Sequence, residues 1–173
     1  QFLTDVEWGD LDYLVIDLPP GTGDVQLTLA QSVPLTGGVV VATPQDVALA
    51  DVIKGIAMFH KLEVPVLGVV ENMSYFLCPH CGERTDIFAH GGAQQMAQKY
   101  NAPFLGEIPL DVAIRVGGDT GKPVTVTNPD SPYAMPFKKI AQAVAAQVSV
   151  IALRIQAEQE NLISVASIPI MKR

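Results

Sequence analysis

The sequence predicts an α/β fold, a mostly parallel sheet with helices on both faces. Short apolar runs alternate with helical patterns along the chain, and strand–helix–strand–helix–strand order implies right-handed crossovers. The first of these runs, LDYLVIDL, is apolar almost throughout, as a buried strand would be. The chain has 173 residues, 49% of them hydrophobic, enough for one good core and a single domain.

Taken in order, Leu11 to Leu18 is the first expected strand, followed by a short helix over Asp24 to Val33 opened by Gly23-Asp24. Val39 to Ala42 is the second strand. Asp46 is placed to cap the next helix, whose Leu49, Val52, Ile53 and Ile56 fall at i, i+3, i+4 and i+7. Val64 to Val70 is the third strand, and Pro103 to Ile108 the fourth, after a helix around Gly91 to Tyr100. Asp111 fits the N-cap of a helix over Val112 to Val116. A last helix begins near Ser131, carries Phe137, Ile140, Ala141, Val144, Val148 and Ile151 on one stripe, and runs to about Leu162.

Composition narrows the function classes. The net charge is −7, and the eleven Lys and Arg are scattered, which argues against nucleic acid and anionic membrane as partners. No stretch holds the roughly 18 consecutive apolar residues expected of a membrane span. The two cysteines, Cys78 and Cys81, form a single Cys-Pro-His-Cys-Gly element. One such pair is a poor disulfide framework and points to a reducing compartment, the cytosol by default.

Two thiolates are half of a tetrahedral metal site, and soft sulfur suits zinc or an iron–sulfur cluster. If metal binds, the other donors come from elsewhere, most simply from a second copy of the chain. Structural zinc fits the same knuckle, and His80 and His90 leave open a mononuclear Cys₂His₂-like site within one chain. A thiol–disulfide oxidoreductase would need the first cysteine at a helix N-terminus. Glu83-Arg84-Thr85-Asp86 carries no apolar helical stripe, which favours a compact knuckle. His60, on the flank of a helix, reads as a solvated surface residue.

In open α/β sheets ligands bind beyond the carboxyl ends of the strands. The first strand delivers Asp17-Leu18-Pro19-Pro20-Gly21-Thr22-Gly23-Asp24 there. A carboxylate followed by a close-approach glycine suits Mg²⁺ and a terminal phosphate, although Pro and Gly also end strands with no ligand involved. Asn72 offers the donor and acceptor that adenine's N6 and N7 edge requires, and equally suits a turn.

DLPPGTGD at 17–24, Thr43-Pro44-Gln45 with its following helix, Gly68 to Met73, the Cys78–Cys81 pair and Gly106 to Asp111 occur in the order seen in the Mrp/ApbC family. The chain resembles these P-loop NTPases of the MinD/ParA type, iron–sulfur cluster carriers, from about Asp10 to Val148. The resemblance implies that Asp17 is the Walker B aspartate and Gly21 the switch glycine. It implies that Asn72 binds the adenine and that Pro109, Leu110 and Asp111 close over the base. It implies that Cys78 and Cys81, paired across a homodimer, hold a bridging 4Fe-4S cluster destined for apo iron–sulfur proteins, with ATP and Mg²⁺ in the intact protein. A rival expectation is a MinD/ParA-like positioning ATPase with structural zinc in the 72–86 loop.

One departure is plain. No Gly-x-x-x-x-Gly-Lys-[Ser/Thr] occurs, and the sole Gly-Lys pair, Gly121-Lys122, is followed by Pro123. The sequence therefore reads as the C-terminal portion of a P-loop domain (1–148) that does not itself hydrolyse ATP, with one sheet edge left uncovered and prone to association. Residues 149–173 are expected to form a helix and tail outside the resemblance.

Overall fold

The computed structural model describes residues 3, 5–19 and 23–166, with side chains of the last helix described to 158. Its centre is a three-stranded parallel sheet in the order β1-β2-β5. Strands β1 (Gly38–Ala42) and β2 (Val66–Glu71) are joined by α2 (Asp46–Lys61). Between β2 and β5 (Phe104–Glu107) the chain makes a hairpin, β3 (Phe76–Leu77) and β4 (Arg84–Thr85), and then α3 (Gly92–Lys99). The helix α1 (Asp24–Ser32) precedes the sheet. Helices α4 (Val112–Asp119), α5 (Val124–Thr127) and α6 (Met135–Ala166) follow it.

Both faces are covered, as a parallel sheet requires. On one, Val40, Ala42 and Val69 pack against Leu49, Val52, Ile56 and Phe59 of α2 and Ala93 and Ala97 of α3. On the other, Val70, Leu105 and Ile108 meet Phe137, Ile140, Ala143 and Val144 of α6, with Ile114 of α4 beside them. The α6 stripe is as expected except that Ala141 faces out and Ala143 faces in. Gly68 lets β2 and β5 approach: its φ is +152°, and a Cβ there would stand 2.6 Å from the Pro103 carbonyl oxygen.

Several expectations shift. The helix α2 has Gln45 at its N-cap, with Asp46 already in the first turn, where its charge still suits the helix dipole. The third strand starts late because the Val64 amide is taken by the Phe59 carbonyl at the end of α2. The last helix starts at Met135 and extends past Leu162 to Ala166. Its segment Met135–Glu158 is long and apolar enough to cross a membrane by length and composition, with a mean hydropathy of 1.4. Phe137, Ile140, Ala143 and Val144 of this helix face the sheet, while Met135, Val150, Leu153 and Ile155 are exposed.

The first expected strand is corrected outright. Leu11 to Leu18 forms no strand, and Val15 is 89% exposed, with Leu11, Tyr13, Leu14 and Ile16 exposed beside it. A strand exists only through the neighbour that takes up its backbone hydrogen bonds. Among the described residues the sheet ends at β1, and none offers this run a ladder.

Candidate functional site

The carboxyl ends of β2 and β5 converge. Glu71 and Glu107 are partners in the β2–β5 ladder, and Ala42 of β1 pairs with Glu71 on its other side. Beyond the sheet the two chains stay together: the Ile108 amide donates to the Glu71 carbonyl (2.8 Å), Ser74 to Ile108 (3.0 Å) and Leu110 to Tyr75 (2.7 Å). This zipper brings Asn72 and Pro109, Leu110 and Asp111 to one end of the sheet. Asn72 anchors its amide on Ala42 (2.7 Å) and turns its side-chain oxygen to the Met73 amide (2.9 Å). Met73 has a φ of +55°, so the chain bends sharply here. Pro109 is buried. Asp111 caps α4 by accepting from the Ala113 amide at 2.6 Å, as expected. Burial first, and then Asp111 by its charge and a hydrogen bond, raises the Tyr133 phenol above its ordinary range.

Glu71 is the charged residue at the heart of this end, wholly buried. Its carboxylate accepts from the Ser74 hydroxyl (2.6 Å) and from the Gly91 (3.1 Å) and Ala93 (2.8 Å) amides. Those two amides open α3, whose N-cap, Gly91, brings no side chain. Glu71 does the capping from a strand away, setting an anion against the helix N-terminus. Sequence reasoning had Glu71 inside a motif without a role. The available signal was a carboxylate ending a fully apolar run, which a core accepts only when its oxygens are satisfied.

The cysteines sit at the tip of the β3–β4 hairpin, Cys78 half-buried and Cys81 exposed. The tip closes with the Cys78 amide donating to Glu83 (2.9 Å) and the Gly82 amide to Cys78 (2.8 Å). Gly82 takes a φ of +72°, the left-handed conformation that glycine adopts without strain. The backbone amides of Cys81 and His80, then the Cys81 thiol, hydrogen-bond to the Cys78 sulfur and hold its pKa below the usual thiol value. A thiol held this way gives up its proton more readily, and the thiolate is the form that ligates metals. No helix starts at Cys78, since the chain turns through Gly82 and Glu83 into β4, so the oxidoreductase geometry is absent there.

His90 is engaged elsewhere. Its Nδ1 lies 2.8 Å from Arg84 Nη2 and 3.7 Å from Glu71, and its Nε2 lies 3.8 Å from Glu107. Arginine only donates, so His90 accepts from Arg84 at Nδ1. Among the described residues no group of three or more His, Cys, Asp or Glu is placed to hold a metal ion. The structure thus does not assemble the one-chain Cys₂His₂-like arrangement.

Among the described residues the phosphate end is not assembled. Asp17 is exposed on the unpaired segment, so it is not a carboxylate at the end of a strand, and Gly21 lies outside the described residues. The nearby contact that does form ties α1 down: buried Gln26 donates from Nε2 to the Pro19 carbonyl at 2.7 Å.

Comparison with known proteins gives this geometry its family. Residues 1–145 match the ParA family model described as NUBPL iron-transfer P-loop NTPase. The chain is 56% identical over 151 residues to the iron-sulfur cluster transfer protein NUBPL of Dictyostelium discoideum, covering 87% of this chain and 47% of that protein. It is 53% identical over 148 residues to the iron-sulfur cluster carrier protein of Escherichia coli K12, covering 86% and 40%. A solved structure, the nucleotide-binding protein of Archaeoglobus fulgidus in complex with ADP, superposes with a TM-score of 0.67 at 47% identity, over 79% of this chain and 54% of that one. The chain thus spans less than half the length of these two curated relatives. The sheet with its paired faces, the hairpin cysteines and these identities agree: the chain belongs to the NUBPL, or Mrp/ApbC, family of iron–sulfur cluster carriers, with the α/β fold of P-loop NTPases.

Proposed function

We propose that this chain carries an iron–sulfur cluster held between the Cys78–Cys81 hairpins of two copies and delivers it to apoproteins. One observation carries the reading: the hairpin presents two cysteines at its tip, and among the described residues no third ligand from the same chain stands with them. A four-coordinate site made of pairs needs a second pair, and a two-fold dimer supplies it. Two thiols per subunit also give a labile grip, which suits a cargo that must leave. The names of the relatives, cluster carrier and cluster transfer protein, support the same reading.

The nucleotide half of the proposal rests on Asn72 and Pro109 to Asp111, gathered at one end of the sheet. There they would recognise an adenine, with Asp17 and Gly21 serving Mg²⁺ and phosphate where a phosphate-binding loop completes the site. ATP bound at those strand ends would bias the dimer and so the hold on the cluster, because a ligand shifts whichever state it binds better. This sequence contains no Gly-x-x-x-x-Gly-Lys-[Ser/Thr], so ATP turnover by this chain at background level is the expected result. A reducing compartment, the cytosol, keeps both thiols available.

Anaerobic reconstitution with iron and sulfide, followed by metal and sulfide analysis and sizing, is the test. The expected result is broad visible absorption and a cluster-bearing dimer, both lost in Cys78→Ala and Cys81→Ala with the thermal transition kept. A Cys78→Ala protein with its full iron and sulfide overturns the reading. Colourless protein with stoichiometric zinc does so too, and favours a positioning ATPase.

A further inference from the structure

The hairpin that carries the cysteines cannot hold its own orientation. Its strands are two residues each, paired Phe76 to Thr85 and Leu77 to Arg84, and a hairpin that short has no independent stability. Arg84 and Thr85 are exposed, so little burial fixes it from the β4 side.

Among the described residues, one side chain of the return strand reaches the body of the protein. The Arg84 guanidinium reaches Glu107 at 3.4 Å through Nη1, Asp86 at 3.0 Å through Nε and His90 at 2.8 Å through Nη2, and it lies over the Tyr75 ring at 4.2 Å. These partners come from separate places: the end of β5, the turn after β4, the loop before α3 and the segment before β3. The network is electrostatically consistent. Partial burial works against the charge, yet Asp86 and Glu107 raise the Arg84 guanidinium above its ordinary value.

We propose that Arg84 is a positioning residue that sets how firmly the Cys78–Cys81 hairpin grips its cluster, by clasping the hairpin to Glu107 at the carboxyl end of β5. The inference rests on the carrier reading above. A cluster shared by two hairpins needs sulfurs from both in register, and under two-fold symmetry any tilt of one hairpin is repeated by the other. A rigid clasp keeps the site pre-organised for binding, while a released one frees the hairpin and weakens the hold. Glu107 also leads through Ile108 directly into Pro109, Leu110 and Asp111, so a shift of that loop reaches the hairpin through this contact. The fork of donors and the planar stacking on Tyr75 are specific to arginine, since lysine offers a single ammonium.

The test uses the full chain reconstituted anaerobically, comparing wild type, Arg84→Ala, Arg84→Lys, Glu107→Gln and the double variant Arg84→Ala/Glu107→Gln. Read out are initial iron and sulfide, the visible circular dichroism of the cluster, the melting temperature, and the rate of cluster loss to a ferrous chelator. Expected are unchanged initial iron and sulfide, an altered cluster dichroism, and loss about tenfold faster in Arg84→Ala, with Arg84→Lys between it and wild type. The double variant should lose its cluster no faster than Arg84→Ala, because both changes break one contact. Wild-type loss rate and dichroism in Arg84→Ala, or single effects that multiply in the double variant, overturn the clasp alone. If Arg84→Ala takes up no cluster, Glu107→Gln decides: faster loss supports the clasp and an unchanged rate overturns it. Wild-type protein that takes up no iron and sulfide overturns the carrier reading and the clasp with it.

Discussion

Two strand ends that the sequence marks equally well come out differently in space. At the end of β2, Glu71, Ser74, His90, Arg84 and Glu107 lock a hairpin, a helix N-terminus and a neighbouring strand into one network. In Leu11 to Leu18, a run also rich in apolar residues, Asp17 stands exposed on a segment with no ladder among the described residues. The first region needs only groups within some forty residues of each other in sequence. The second depends on a partner strand, and the described residues provide none. A site is built where its neighbours are, and an apolar run without neighbours remains a run.

The largest way to test that difference is to strike the built end at its centre. Glu71→Ala removes the acceptor of two helix-opening amides and a serine hydroxyl in a buried setting, and should cost about 3 kcal/mol. Chemical denaturation reads that loss, and hydrogen exchange should show the start of α3 opening first. If Glu71→Ala melts with the wild type, the network is decoration and the contrast fails. Next comes Gly82→Ala, which forces an alanine into a φ of +72° at the hairpin tip although nothing crowds a Cβ there. The strain is about 1 kcal/mol, and it should appear as weaker cluster uptake more than as a lower melting point.

The same contrast shows how far sequence alone reaches. Periodicity placed α2, α3 and α6 and the core strands well, because Leu49, Val52 and Ile56 can be buried together only on a helix. The compact turn at Cys78, Cys81 and Gly82 was legible, since its geometry is local. The Glu71 and Arg84 networks were not, because their partners Ala93 and Glu107 become neighbours only after β2 and β5 align. Strand status for Leu11 to Leu18 was misread for the complementary reason. Hydrophobicity reports that a segment could be buried, and pairing depends on what else is present.

Two smaller effects sharpen the comparison from its two sides. Asp111→Ala loses the N-cap of α4 and should cost about 1 kcal/mol, seen as a modest fall in melting temperature. Asp111→Asn keeps a capping oxygen and should recover most of it. At the unbuilt end, Val15→Ser alters a side chain that is 89% exposed and should change stability by less than about 0.5 kcal/mol. A valine inside β2 tolerates no such change: Val69, fully buried between α2 and α3, should lose about 2 kcal/mol or more as serine through lost packing and a buried hydroxyl. Equal melting shifts for the two serine variants would mean that Val15 is buried in solution against a surface such as a second copy of the chain. Sedimentation of Val15→Ser at several concentrations would then show that association weakened, and the two strand ends would differ in what covers them rather than in how they fold.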